Sequence, residues 1–179
     1  MKKPAYLTIL VVSVAALLCC ALISGEKKGS AEDRLQRLED REEIRQLLMD
    51  YGRYLDQRDF ASFSQLFAEK EGEWVGGMGT AKSPTAIRNL MEKTIGIEKS
   101  RSIGGPNCHV FTNEVIEVAG NEAKATTKWI FVVQSSSKQP QPFYLGHYSD
   151  TFVREHGRWR FLRRVVHGDI PPDDPFSRK

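Results

Sequence analysis

Three side chains, far apart in the chain, are of types that could do chemistry together. Asp56 closes a run of helical periodicity, at the end of a helix where the macrodipole is unfavourable to a negative charge. His109 opens a strand just after a glycine-rich turn, and Arg164 lies on the last strand of the chain. A carboxylate, an imidazole and a guanidinium in one cavity would support proton transfer without a cofactor, or simple binding. Each also has a plainer reading. Asp56 could be a solvated helix-end or turn-forming residue, and His109 a satisfied structural histidine. Arg164 could be spent on a cross-strand ion pair with Asp150.

Other candidates stand around this trio. Tyr51, Tyr54 and Trp74 could line a pocket or belong to the core. His147 and Tyr148 are adjacent on one strand and point to opposite faces, so at most one of them meets a cavity. The four histidines, His109, His147, His156 and His167, have no clustered spacing, and no C-x-x-C or H-E-x-x-H occurs, so no metal is expected. Gly76-Gly77-Met78-Gly79 is too short for a phosphate loop and does not join a strand to a helix, and no dinucleotide fingerprint appears. The expectation is a site without cofactors.

The elements that would position these residues are legible from periodicity. Ile44, Leu47, Leu48, Tyr51, Tyr54 and Leu55 share one arc of a helix over about 32–57. Asp59 is placed to cap a second helix over 60–68, carrying Phe60, Phe63, Leu66 and Phe67. A short strand over 72–75 and a flexible glycine run follow. Ser83-Pro84 then opens a third helix that ends near Gly96. After Gly104-Gly105-Pro106 the period changes from 3.6 to 2. Strands are expected over 108–118, 124–134, 143–154 and 158–167, with turns at 119–122, 135–142 and 156–157. Helices first and an antiparallel meander afterwards indicate an α+β fold, a curved antiparallel sheet wrapped around three helices. Such a sheet encloses the kind of concave apolar pocket that small molecules favour.

The chain of 179 residues is most simply one domain plus extras. Lys2 and Lys3 precede an apolar run from Tyr6 to Ile23, with Ser24-Gly25 after it. This is the plan of a signal peptide over 1–25, with a run just long enough to serve as an N-terminal membrane anchor instead. Cys19 and Cys20 raise lipid attachment, but they follow Leu18 and Cys19 rather than a small residue. The expected location is outside the cytoplasm, free or tethered by residues 6–23. A linker over 26–31, a domain over 32–170 and an extended tail over 171–179 complete the organisation. Only Cys108 lies beyond the leader, so no internal disulfide can staple the domain. Without Lys2 and Lys3 the balance is 24 basic against 23 acidic groups, which is no nucleic-acid footprint.

Five segments, D-R-E-E-I-R-Q-L-L-x-x-Y, L-D-Q-R-D-F, G-E-W, C-H-V-F-T-N and G-H-Y-S-D-T-F-x-x-x-x-G-R-W-R-F, resemble in order and spacing the SnoaL-like branch of the nuclear transport factor 2-like superfamily. The likeness runs from about Arg34 to His167 and is closest to its scytalone dehydratase and hexachlorocyclohexane dehydrochlorinase members. The resemblance implies a cone-shaped, barrel-like fold and a catalytic pair, Asp56 through the L-D-Q-R-D-F match and His109 through C-H-V-F-T-N. It implies substrate contacts for Trp74 and Arg164, with Tyr51, Tyr54 and Tyr148 as further lining. The chain departs from the pattern where the dehydrochlorinase has a lysine and this sequence has Tyr51. It departs from the dehydratase at Leu55, in place of a tyrosine, and at Val133, in place of a second histidine. What the resemblance implies is an exported, cofactor-free lyase or isomerase of a small hydrophobic molecule, working as a homodimer or homotrimer. The alternative is a non-catalytic ligand-binding or dimerisation module on the same fold.

Overall fold

The computed structural model describes residues 30–96 and 106–170. The expected leader over 1–25, most of the linker and the tail over 171–179 lie outside the described residues. The chain divides into two compact units, Met1–Gln36 and Arg37–Lys179. In the first, Ser30 and Asp33 cap the start of a helix reciprocally. Ser30 Oγ accepts from the Asp33 amide at 3.1 Å and Asp33 Oδ2 from the Ser30 amide at 2.9 Å.

That helix, α1, is Ala31–Gln57, and in the second unit its residues Ile44, Leu47, Leu48 and Tyr51 are buried at the spacing of one helical face. Arg58 turns the chain with a left-handed φ of 59°, and Asp59 then caps α2, Phe60–Ser64, by accepting from the Ser62 amide at 3.0 Å. The helix expected through Ala68 stops at Ser64. Beyond it the last strand captures the backbone: the Phe161 amide donates to Leu66 O and the Ala68 amide to Phe161 O, both at 2.9 Å. β1, Glu73–Gly76, and β2, Gly79–Lys82, form a hairpin whose turn is the glycine run expected to be flexible. α3, Pro84–Thr94, starts at the Ser83 cap.

Four long strands follow: β3 (Asn107–Ala119), β4 (Glu122–Gln134), β5 (Pro140–Glu155) and β6 (Arg158–Ile170). They make a curved sheet, unclosed, in the order β2-β1-β6-β5-β4-β3. The meander is antiparallel as expected. The short first strand differs: β1 pairs parallel to β6, with Trp74 opposite Arg164. Register shifts interrupt the ladders near Thr112, Phe131, Leu145 and Thr151, and bulges of this kind bend and twist the strands that carry them. The inner face packs Tyr148, Phe152, Trp159 and Phe161 against Ile44, Leu48, Phe63, Phe67, Ile87 and Met91. Each such side chain contributes about 1.5–3 kcal/mol on burial. In the absence of a disulfide this core holds the domain together.

Candidate active site

Asp56 lies in the last turn of α1, a turn with no basic residue to offset its charge. The compensation comes from β3. Asp56 Oδ2 accepts from the backbone N–H of His109 at 2.9 Å, and Asp56 Oδ1 lies 2.6 Å from His109 Nδ1. A carboxylate can only accept, so this contact calls for the ring proton on Nδ1, and in a neutral imidazole Nε2 is then the acceptor nitrogen. The two side chains are 21% and 14% exposed, partly withdrawn from water yet not sealed.

The approach of α1 to β3 has a local cause. Gly52, one turn before Asp56, is buried against the ring of Phe111, and a β-carbon there would lie 2.5 Å from that ring. The lack of a side chain lets helix and strand come together where the pair forms. Aromatic rings surround the imidazole, with Phe131 at 4.9 Å, Phe111 at 6.2 Å and Trp129 at 6.5 Å between centroids. None of these three stood among the sequence candidates. Alternation gives the signal that could have found them: Phe111 is two residues beyond His109, and the register sets Phe131 opposite His109 and Trp129 opposite Phe111.

The remaining candidates divide. Tyr148 points inward and His147 outward, so only the tyrosine shares the inner face with His109. The Tyr148 ring stacks on Trp129 at 5.7 Å and meets Phe111 edge-on at 5.8 Å. Burial raises its hydroxyl pKa well above 10, and the neighbouring Tyr51, Asp150 and Asp56 add to the effect against Arg164, so the phenol stays protonated. Tyr51 is buried beside it with its hydroxyl accepting from Trp74 Nε1 at 2.9 Å, so these two candidates bind one another. Tyr54 is half-buried at the margin, with the Arg53 guanidinium 4.5 Å over its ring.

Arg164 is completely enclosed. Its Nε and Nη2 donate to the two oxygens of Asp150 at 2.8 and 2.7 Å, the cross-strand pair that was its plainer reading. The guanidinium also lies about 4 Å from the rings of Tyr51, Tyr148 and Phe161. Burial alone would lower its pKa, but Asp150 and the phenols more than offset this, and it stays charged. A groove of about 540 Å³ between α2 and α3 is lined by Ser62, Gln65, Arg88 and Glu92 among others and includes none of the candidate residues. Among the described residues no three metal-ligating side chains converge as a metal cage.

An uncharacterised protein of Mycobacterium tuberculosis is 27% identical over 150 residues, which cover 82% of this chain and 93% of that protein. A nuclear transport factor 2-like protein with a cystatin-like fold from Novosphingobium aromaticivorans superposes with a TM-score of 0.65 at 27% identity, over 79% of this chain and 90% of its own. A scytalone dehydratase-like protein of the same organism superposes with a TM-score of 0.59 at 22% identity, over 78% and 89% of the two chains. The SnoaL-like domain family matches residues 36–165, a span that holds most of α1, β1 to β5, the first part of β6 and both members of the Asp56–His109 pair. The chain belongs to the SnoaL-like family.

Proposed function

We propose that this SnoaL-like domain is an exported, cofactor-free lyase or isomerase, dehydratase-like in type, acting on a small hydrophobic molecule, with His109 as general base and Asp56 as its orienting partner. The observation that carries this reading is the double hold of one carboxylate on both the backbone amide and Nδ1 of His109. A carboxylate used only as a turn former would have no need of the imidazole. The likeness to a scytalone dehydratase-like protein supports the reaction class.

In this reading Nε2 removes a proton from a carbon alpha to a carbonyl or beta to a leaving group. The electron pair either expels the leaving group or moves onto the carbonyl oxygen, and in an isomerisation the imidazolium returns the proton at another carbon. Asp56 stabilises the imidazolium that forms, and Tyr148, protonated and on the same face, is the donor for the developing oxyanion. Positioned acid–base catalysis of this kind is worth roughly 10²–10⁴-fold.

The test is a turnover screen of hydroxy-ketones, enones and halogenated rings with the native chain, His109→Ala and Asp56→Asn. His109→Ala abolishes turnover while ligand affinity falls far less, because the loss belongs to the transition state. Asp56→Asn keeps the fold and loses most of the rate, since an amide can hydrogen-bond the ring but cannot stabilise its charge. Full turnover in both variants would put catalysis elsewhere. Equal ligand-induced thermal stabilisation of all three proteins, with no turnover in any, would make the domain a binder.

A further inference from the structure

The turn that follows Asp56 departs from the usual choice of residue. The Asp59 amide donates to Tyr54 O at 2.9 Å and the Arg58 amide to Leu55 O at 3.1 Å. With the left-handed φ of 59° at Arg58, these are the two bonds of a Schellman motif, which terminates α1. The left-handed position of that motif usually belongs to glycine, because a β-carbon disfavours the conformation. Here an arginine holds it.

The side chain accounts for the exception. Arg58 Nη1 donates to the carbonyl oxygens of Ile95 and Gly96, at 3.0 and 2.7 Å, across the end of α3. Those carbonyls carry the negative end of the α3 macrodipole, which favours a cation. α3 is itself fixed to the core by Ile87 and Met91, so the arginine ties the elbow to an anchored element. Asp56 lies two residues before Arg58, and its two oxygens must meet two donors of His109, the amide at 2.9 Å and Nδ1 at 2.6 Å. One turn earlier, Gly52 lets α1 approach β3 at Phe111. The last turn of α1 is therefore held by two elements, and the aim of the carboxylate follows from both.

We infer that Arg58 is a positioning residue for the Asp56–His109 pair: its clamp on the end of α3 sets the elbow after α1 and thereby the direction of the Asp56 carboxylate. A position needed only to end the helix would be better filled by glycine. The effect on rate rests on the base proposed for His109, but the placement can be read without any substrate, so the two can fail separately. β3 is the edge strand of the described sheet, so the His109 amide that bonds Asp56 reports this contact rather than strand pairing.

Amide hydrogen exchange and nitrogen NMR of the histidine rings, both on the purified full-length chain, test the assignment. The main variant is Arg58→Gly, which suits the backbone conformation and removes only the clamp. Relative to the amides of β5, the His109 amide is expected to exchange roughly 10-fold faster, the worth of one hydrogen bond to a charged group. At a pH where the His109 ring is neutral, its proton shifts from Nδ1 toward Nε2, the nitrogen that carries it in a free imidazole side chain. The ring signal is assigned by its loss in His109→Ala. Arg58→Lys keeps the charge and lies between the native protein and Arg58→Gly, and it carries the same comparison if the glycine variant fails to fold. In an Asp56→Ala background, Arg58→Gly changes neither reading further, because the arginine acts through that carboxylate. The inference is overturned if Arg58→Gly leaves either reading native, if the β5 amides accelerate as much as that of His109, or if the change persists without Asp56.

Discussion

Arg164 and Asp150 show what one buried residue pair can impose. Each side chain is completely enclosed, and each is tolerable there only because the other is present. Removing one partner leaves an uncompensated charge in a low dielectric, whereas removing both leaves an apolar gap that can be filled. Arg164→Met is therefore expected to cost about 3–5 kcal/mol in a urea or guanidinium melt. The double variant Arg164→Met/Asp150→Leu should recover most of that loss. If the single variant unfolds at the native midpoint, the pair contributes nothing measurable. The guanidinium is also stacked on Tyr148 and Tyr51, so the single variant removes a contact from the phenol that the proposed reaction uses as its oxyanion donor.

Strands and their ladders govern the next level. Gly146 stands opposite Gly168 beside the β5–β6 bulge, where a β-carbon would lie 2.0 Å from the carbonyl oxygen of His167 and 2.5 Å from the Trp129 ring. One contact is backbone and cannot rotate away. Gly146→Ala is expected to lower stability by about 1–3 kcal/mol by overpacking, measured as a shifted denaturant midpoint with unchanged slope. An unshifted midpoint would mean that the ladder yields at no cost. This level also shows how much of the molecule was legible beforehand. The 3.6 and 2 periods placed α1, α3 and the four long strands, because burial of one face imposes those spacings on the residue types. β2 escaped, since Gly-Thr-Ala-Lys has no apolar alternation and depends on its hairpin partner. α2 ended early because β6, nearly a hundred residues on, pairs with the backbone around Phe67. Asp56 and His109 could be named from the family motifs, but periodicity left Asp56 at the margin of its helix. Phe111 follows from alternation along β3, but Phe131 and Trp129 come to His109 only through sheet register, and the His147–Asp169 contact follows only from a bulge. Neither of the latter is encoded in local residue patterns.

At the scale of the whole molecule, the lysine pair and apolar run at the start of the chain belong with the proposed export. Fractionation of cells producing the full chain is expected to place the domain outside the cytoplasm, released or held by residues 6–23. Recovery of an intact, soluble cytoplasmic protein that retains Met1 would refute this. The fold does not depend on a disulfide for this, since the only cysteine after residue 25 is Cys108 and the domain has a large aromatic core.

The position of β6 bears on how the molecule is born. Among the described residues β6 is the last strand to be synthesised, and it sits in the interior of the sheet, between β1 and β5, as the only neighbour β1 has apart from β2. On the ribosome, the β1–β2 hairpin and the β3–β4–β5 meander emerge as two sets of strands with a missing centre. Asp150 also waits for Arg164, and the chain around Leu66 for Phe161. The cooperative unit thus cannot close until β6 has been made. If the chain is threaded across a membrane during that interval, it has no finished fold to undo.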